Sequence, residues 1–113
     1  MMTRLADKNC MRLTRESAAL SDSELAELRP QIPEWEFIHV DGVPRLRRTF
    51  KFKNFLQALE FTNAIGKVAE QQGHHPLIAL TWGQTTVDWW THDISGLHKN
   101  DFIMAAKSDV LYG

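Results

Sequence analysis

The stretch P-L-I-A-L-T-W-G-Q-T-T-V-D-W-W-T, residues 76–91, decides the fold, because it is typical of two antiparallel strands joined by a tight turn. Apolar side chains alternate on both sides of Gly83-Gln84, a dipeptide that favours a two-residue turn with glycine first. This turn would place His75 opposite His92. The apolar face of the hairpin would hold Ile78, Leu80, Trp82, Val87 and Trp89.

A long helix is predicted before this hairpin, and another hairpin before the helix. Asn54 is expected to cap the helix and Gly73 to end it, with a broad apolar stripe between them. Upstream, residues 35–40 and 45–53 are predicted to be strands around the turn Asp41-Gly42. The alternating basic residues of the second strand indicate a solvated strand face.

Two further helices complete the predicted chain, one that begins after Ser21 and one that begins near His98. The order is helix, two strands, helix, two strands, helix. This order predicts an α+β fold, a four-stranded antiparallel sheet with three helices packed on one face. Residues 1–20 are aperiodic and are expected to form a partly ordered N-terminal tail, which leaves residues 21–113 as one domain.

Composition excludes several classes of protein. The chain has 113 residues, of which 43% are hydrophobic and 24% are charged, as in an ordinary single globular domain. The formal net charge of -1 gives no attraction to nucleic acid or to an anionic membrane. With Cys10 as the single cysteine and no long apolar run, the sequence predicts a soluble, cytoplasmic protein without membrane contact.

Three histidines are the candidate catalytic residues. His74 and His75 precede the hairpin and His92 follows it, so the fold would bring them to one end of the sheet. Imidazole both gives and takes a proton near neutral pH, which indicates proton-transfer chemistry. Glu70 and Asp101 are candidate supporting residues, since a carboxylate can hold an imidazole in one tautomer.

Substrate binding is predicted for the residues beside these histidines. Pro76 and Trp90 would give a flat wall for an aromatic ligand, and Thr91 follows Trp90 directly in sequence. Simpler interpretations stay open for the carboxylates: Glu70 could be a solvated helix residue. Asp101 could close a capping box that starts at His98.

Residues 70–101, E-Q-Q-G-H-H-P-L-I-A-L-T-W-G-Q-T-T-V-D-W-W-T-H-D-I-S-G-L-H-K-N-D, resemble the pterin-4a-carbinolamine dehydratase family, also called 4a-hydroxytetrahydrobiopterin dehydratases. Upstream, P-E-W at residues 33–35 and F-K-F-K-N-F at residues 50–55 are also similar to family segments. The likeness covers roughly residues 20–110. The positions that agree in type and spacing are Glu70, His74, His75, Pro76, Trp82, His92 and Asp101.

The resemblance implies four antiparallel strands with three helices, and a dehydratase that recycles the pterin cofactor of aromatic amino acid hydroxylases. The essential histidines would be His74, His75 and His92, with the two carboxylates in support. Losing water from the substrate requires a proton for the departing C4a hydroxyl and the removal of one from N5, so neither a metal nor a redox cofactor is needed. The resemblance also implies homodimers or homotetramers, which agrees with a glycine, Gly66, inside the broad-striped helix.

Two other classes of function remain open at this stage. Three histidines and a carboxylate could bind zinc, although the adjacent His74 and His75 tend to point apart on an extended chain. The chain could also be a non-catalytic interaction module whose long helix binds a partner.

Overall fold

The computed structural model describes residues 4–113. Its sheet has four antiparallel strands in the order β1-β2-β4-β3. The elements are α1 (Asp22–Leu28), β1 (Glu36–Val40), β2 (Val43–Lys51), α2 (Phe55–Gln72), β3 (Leu77–Thr81), β4 (Gln84–Trp89) and α3 (Lys99–Tyr112). The predicted α+β class, with its four-stranded antiparallel sheet and three helices, is confirmed.

The helices begin and end at the predicted capping residues. The Ser21 hydroxyl accepts a hydrogen bond from the Glu24 N–H at 3.2 Å, and the Glu24 carboxylate accepts one from the Ser21 N–H at 3.0 Å. Asn54 Oδ1 accepts from the Gln57 N–H at 2.8 Å. Gly73 ends α2 with a φ of 66°, a left-handed conformation that glycine adopts at little cost. The position of the histidine pair that follows is therefore set by this glycine.

The turn of the second hairpin lies one residue earlier than predicted. The pairing of Thr81 with Gln84 leaves Trp82-Gly83 as the turn. The pairing of β3 with β4 is thus shifted by two residues, which keeps the side chains of the paired residues on their predicted faces. The predicted cross-strand opposition of His75 and His92 is wrong, because His92 lies in a 3₁₀ turn beyond the end of β4.

A contact with the chain before α2 explains this shift. The Phe52 N–H donates to the Gly83 carbonyl at 2.8 Å, and a Cβ on Gly83 would stand 3.2 Å from the Phe52 carbonyl oxygen. Gly83 therefore permits the close approach of its backbone to that of Phe52. The prediction had instead placed Gly83 at the first position of the turn. Trp82, which was predicted to lie in the core, is 69% exposed at the tip of the turn.

The core lies between one face of the sheet and the helices. The Trp89 indole, fully buried, donates to the Ser108 hydroxyl of α3 at 3.2 Å. Buried core residues of the sheet and of the two long helices include Leu46, Phe50, Phe61, Ile65, Ala69, Val87, Trp89, Phe102, Ile103 and Met104. Leu25 and Leu28 of α1 pack against the same core. Within residues 4–113, no helix has both the length and the apolar character that crossing a membrane requires.

The other face of the sheet carries an ion-pair cluster. Arg47 binds the Asp88 carboxylate through two nitrogens at 2.7 and 2.8 Å, and Arg45 binds it at 3.1 Å. Asp88 is only 1% exposed, and its hydrogen bond raises the pKa of Arg47. The prediction of a merely solvated basic face is therefore wrong for these two arginines.

The described part of the N-terminal segment packs along α3. Leu5 is buried, and Lys107 of α3 donates to the Ala6 carbonyl at 2.8 Å. Further along, the Leu20 N–H donates to the Leu97 carbonyl at 2.8 Å. Residues 1–3 of the predicted tail lie outside the described residues, and a tail-to-domain boundary at residue 20 stays a prediction.

His98 at the start of α3 links the stability of the fold to pH. Its Nδ1 accepts a hydrogen bond from the Asn100 N–H at 3.0 Å, which only an unprotonated Nδ1 can do. Burial of the ring lowers the pKa of His98, and the nearby Asp101 charge opposes this only in part. The unfolded chain therefore binds this proton more readily, so stability is lost as the pH falls below the unfolded pKa of about 6.5.

We expect His98→Asn to weaken the dependence of the free energy of unfolding on pH between about pH 7 and pH 5. Asparagine can still accept a hydrogen bond as the N-cap, but it does not titrate. Urea unfolding at several pH values checks this expectation. A variant whose stability falls with acidification as steeply as that of the wild type would contradict it.

Candidate active site

The three predicted histidines line one cavity at the end of the sheet. His74 and His75 form the connection from α2 to β3, and His92 begins the 3₁₀ turn after β4. The cavity has a volume of about 260 Å³. Leu13 and Trp90 are also among its lining residues. The histidines therefore share a cavity although they are not cross-strand neighbours.

Glu70 binds the second histidine of the pair. Its Oε1 lies 2.8 Å from His75 Nε2. A carboxylate oxygen accepts, so the imidazole donates from Nε2, and in the neutral ring Nδ1 keeps its lone pair. The side chains of His75 and Glu70 are 65% and 81% exposed, and such an exposed pair contributes little to stability. The carboxylate therefore acts mainly on the tautomer and orientation of His75.

Asp101 is fully buried and accepts three hydrogen bonds. Its Oδ1 lies 2.6 Å from His74 Nε2. Its Oδ2 accepts from the Thr91 hydroxyl at 2.8 Å and from the His98 N–H at 2.9 Å. The same carboxylate thus closes the capping box of α3 and orients His74, whose ring stacks on that of Trp89. Both interpretations of Asp101 made from the sequence describe contacts that are present.

Trp90 orients the third histidine. Its indole N–H donates to His92 Nδ1 at 3.2 Å. Because the indole nitrogen can only donate, the proton of a neutral His92 ring lies on Nε2. The Trp90 ring also receives the Arg45 guanidinium, which lies 3.7 Å from the ring centroid in a cation–π contact. Arg45 is held in turn by Asp88.

The hydrogen bonds engage different nitrogens of the three imidazoles, Nε2 in His74 and His75 and Nδ1 in His92. Neutral His74 and His75 give their Nε2–H to carboxylates and keep Nδ1 as an acceptor. Neutral His92 keeps Nε2–H as a donor. One cavity is therefore lined by proton donors and proton acceptors together, which is the arrangement that general acid–base catalysis requires.

The predicted substrate-binding residues differ in position. Trp90 lines the cavity, whereas Pro76 is half-buried and is not among the lining residues. Thr91 is buried, and its hydroxyl is engaged by Asp101. Substrate contacts for these residues stay predictions.

Sequence reasoning missed Arg45, Asp88 and Leu13. The first two are opposite charges on one face of β2 and β4, but their contact is visible only once these two strands are known to be neighbours. Leu13 lies in the aperiodic N-terminal segment, where no pattern indicated a role.

The alternative of a metal site finds no set of ligands in the described part of the chain. Across residues 4–113, no group of three or more His, Cys, Asp and Glu side chains is placed to hold a metal ion.

Comparison with known proteins identifies the family. A model of the family described as pterin 4 alpha carbinolamine dehydratase matches residues 18–111. A protein of Syntrophotalea carbinolica named for pterin-4-alpha-carbinolamine dehydratase is 53% identical over 111 residues, 97% of this chain and 98% of that protein. This match covers more of the chain than residues 20–110, the part over which the sequence motifs predicted the family likeness.

Solved structures agree. A transcriptional coactivator/pterin dehydratase from Brucella melitensis superposes with a TM-score of 0.76 at 32% identity, over 84% of this chain and 99% of that one. A pterin dehydratase-like RuBisCO assembly factor of the alpha-carboxysome gives 0.61 at 23% identity, over 71% and 90% of the two chains, and it shows the fold alone. The resemblance noted in the histidine motif is confirmed: the chain belongs to the pterin-4-alpha-carbinolamine dehydratase family of hydro-lyases.

Proposed function

We propose that this protein removes water from a pterin-4a-carbinolamine by histidine acid–base catalysis. The observation that carries this proposal is the set of three imidazoles, with donor and acceptor nitrogens, around one cavity in a chain of this family. The substrate is 4a-hydroxytetrahydrobiopterin or a related 4a-hydroxy pterin, and the product is the quinonoid dihydropterin.

In the proposed reaction the C4a–O bond breaks and its electron pair leaves with the oxygen, which takes a proton from an acid and departs as water. A base takes the proton of N5, and the N5–H electrons form the double bond between N5 and C4a. One proton is given and one is taken, so the reaction changes neither net charge nor oxidation state. The enzyme returns to its starting state when the acid and the base exchange protons with solvent.

The hydrogen bonds favour His92 as the acid and His75 as the base. His92 engages Trp90 through Nδ1, so Nε2 faces away from that contact and carries a proton in the imidazolium, the form that gives up a proton near neutral pH. Neutral His75 has its free lone pair on Nδ1. Both side chains are exposed, so both can exchange protons with solvent in each turnover. His74, only 11% exposed and fixed by Asp101, is better suited to accept a hydrogen bond from the substrate and orient it.

The proposed physiological role is recycling of the pterin cofactor of aromatic amino acid hydroxylases in the cytoplasm. Quinonoid dihydropterin is the form that a reductase can return to the tetrahydropterin. A protein with a single cysteine, Cys10, whose pKa is raised by burial to about 11, suits a reducing compartment.

We also propose that the protein is a homodimer or a homotetramer. Gly66 on the outer side of α2 is exposed, and an added Cβ would meet no atom within 4 Å. Nothing among residues 4–113 of one chain therefore requires glycine there, whereas close approach of a second helix would. Large apolar side chains at the end of the helical layer where α2 begins and α3 ends are also exposed, namely Phe55, Leu56, Leu111 and Tyr112. Light scattering after size exclusion measures the mass of the assembly.

Glu70→Gln is expected to lower dehydration activity without lowering stability. The change preserves size but removes the charge that holds His75 Nε2–H, so the base becomes weaker and less well oriented. Loss of an exposed pair costs little, and a carboxylate near the helix C-terminus is unfavourable in any case. The measurements are initial rates and melting temperature. Full activity with a reduced melting temperature would make Glu70 a structural residue.

The proposal is tested directly by generating the 4a-hydroxy pterin and following its disappearance with and without this protein. An accelerated loss, with water and quinonoid dihydropterin as products, is expected. An unchanged rate at high protein concentration would refute the enzyme and favour a non-catalytic interaction module.

A further inference from the structure

We propose that residues 9–13, called here the N-terminal strap, form the outer wall of the pterin site and that Leu13 helps to set its substrate affinity. This inference rests on the proposed dehydratase function. The strap lies outside residues 18–111, the part of the chain that the family model matches. It would therefore add residues of this chain to the site beyond the histidine motif.

Two amide side chains hold the strap against the end of α2 and the start of α3, on either side of His74. Gln72, at the end of α2, accepts from the Cys10 N–H at 2.7 Å. Asn100, in the first turn of α3, accepts from the Met11 N–H at 2.9 Å and donates to the Met11 carbonyl at 2.8 Å. These long-range contacts fix the strap backbone beside the histidine.

The space under the strap adjoins the histidine cavity. A cavity of about 390 Å³ lies between the strap and the segment Gln72–His74. It shares Leu13, Gly73 and His74 with the histidine cavity of about 260 Å³. Ligand sites usually measure about 300–1,000 Å³, so the histidine cavity alone is small for a bicyclic pterin with its side chain. The histidine cavity reaches the usual size only together with the strap cavity.

The strap presents groups that suit a flat, polar heteroaromatic ring. Leu13 is half-buried at the junction of the two cavities and offers an apolar edge. Arg12 lines the second cavity, and a guanidinium can both stack on a flat ring and donate to a ring carbonyl. We infer that C4a and N5 lie at the histidines while the rest of the substrate extends under the strap. Because the strap touches no reacting atom, it should act on substrate binding more than on the chemical step.

Leu13→Ala and Arg12→Ala are expected to raise KM roughly tenfold, the scale of losing one contact in a pocket, while kcat stays within about twofold. Arg15→Ala is the matched control, because Arg15 is exposed, lies three residues further on and lines neither cavity. It should leave both constants unchanged. An unchanged KM in the Leu13 variant, or an equal rise in the control, would overturn the inference.

Binding of a stable product-like pterin, 7,8-dihydrobiopterin, gives a second measurement that needs no turnover. In NMR titrations of the full chain, the amide signals of residues 10–13 should shift together with those of residues 74 and 75. If the wild type turns over and binds this pterin while the strap signals stay unchanged, the strap inference fails and the dehydratase stands. If the wild type neither binds it nor accelerates dehydration, the proposed function fails and the inference with it.

Discussion

His92→Ala and His75→Ala are each expected to slow dehydration by 10²-fold or more, the scale of general acid–base catalysis. The first removes the Nε2–H proposed to protonate the departing hydroxyl, and the second removes the Nδ1 proposed to take the N5 proton. Both side chains are exposed at the end of the sheet, so the melting temperature should change little. Stopped-flow measurement of the loss of the 4a-hydroxy pterin gives the rates.

His39→Ala is the control for both variants. His39 is also an exposed histidine, but it lies in β1 and is not among the residues that line the cavity. Its replacement should leave the rate unchanged. Near-native activity in either cavity variant would disprove the role proposed for that histidine.

Asp101→Ala is expected to have the largest effect on stability, a loss of roughly 3 kcal/mol or more, because three donors would lose their acceptor and each costs about 1–3 kcal/mol when left unpaired in the interior. The donors are the Thr91 hydroxyl, the His98 N–H and His74 Nε2. Activity should fall as well, since His74 loses the group that orients it. Urea unfolding and the dehydration assay measure the two effects separately.

Glu24→Ala is the matched control, because Glu24 occupies the same capping-box position in α1 that Asp101 occupies in α3. Glu24 is exposed, so its loss should cost about 1 kcal/mol or less and leave activity unchanged. If both variants lost the same stability, the contacts of Asp101 with Thr91 and His74 would contribute nothing beyond an ordinary cap.

Local signals explain why so much of the fold was predictable. The capping residues Ser21, Asn54 and Gly73 form hydrogen bonds with residues at most one helical turn away, so the neighbouring sequence is enough to identify them. The alternation around Gly83 fixed the two faces of the hairpin correctly even though the turn was displaced, because a shift by two residues preserves the alternation. The displacement itself depends on Phe52, about thirty residues away, which no local rule includes.

For the site, the sequence predicted which residues take part but not which of them contact each other. The histidines and carboxylates could be named from their spacing, but the pairing of Glu70 with His75 and of Asp101 with His74 depends on side-chain positions. Arg45 contacts the site because β2 pairs with β4 and because its guanidinium lies over the ring of Trp90. Such contacts join distant parts of the chain, and a single sequence does not reveal them.

The position of Asp101 has a consequence for how this protein responds to heat. Helix ends are ordinarily the places where a structure opens at a small cost in free energy, well below that of global unfolding. Here the first turn of α3 is closed by the carboxylate that also aligns His74. Each fraying event at this helix end would therefore disconnect the histidine at the same moment. The fraction of molecules competent to react would be governed by the local opening of one turn, and catalysis would fade on warming before the rest of the fold gives way.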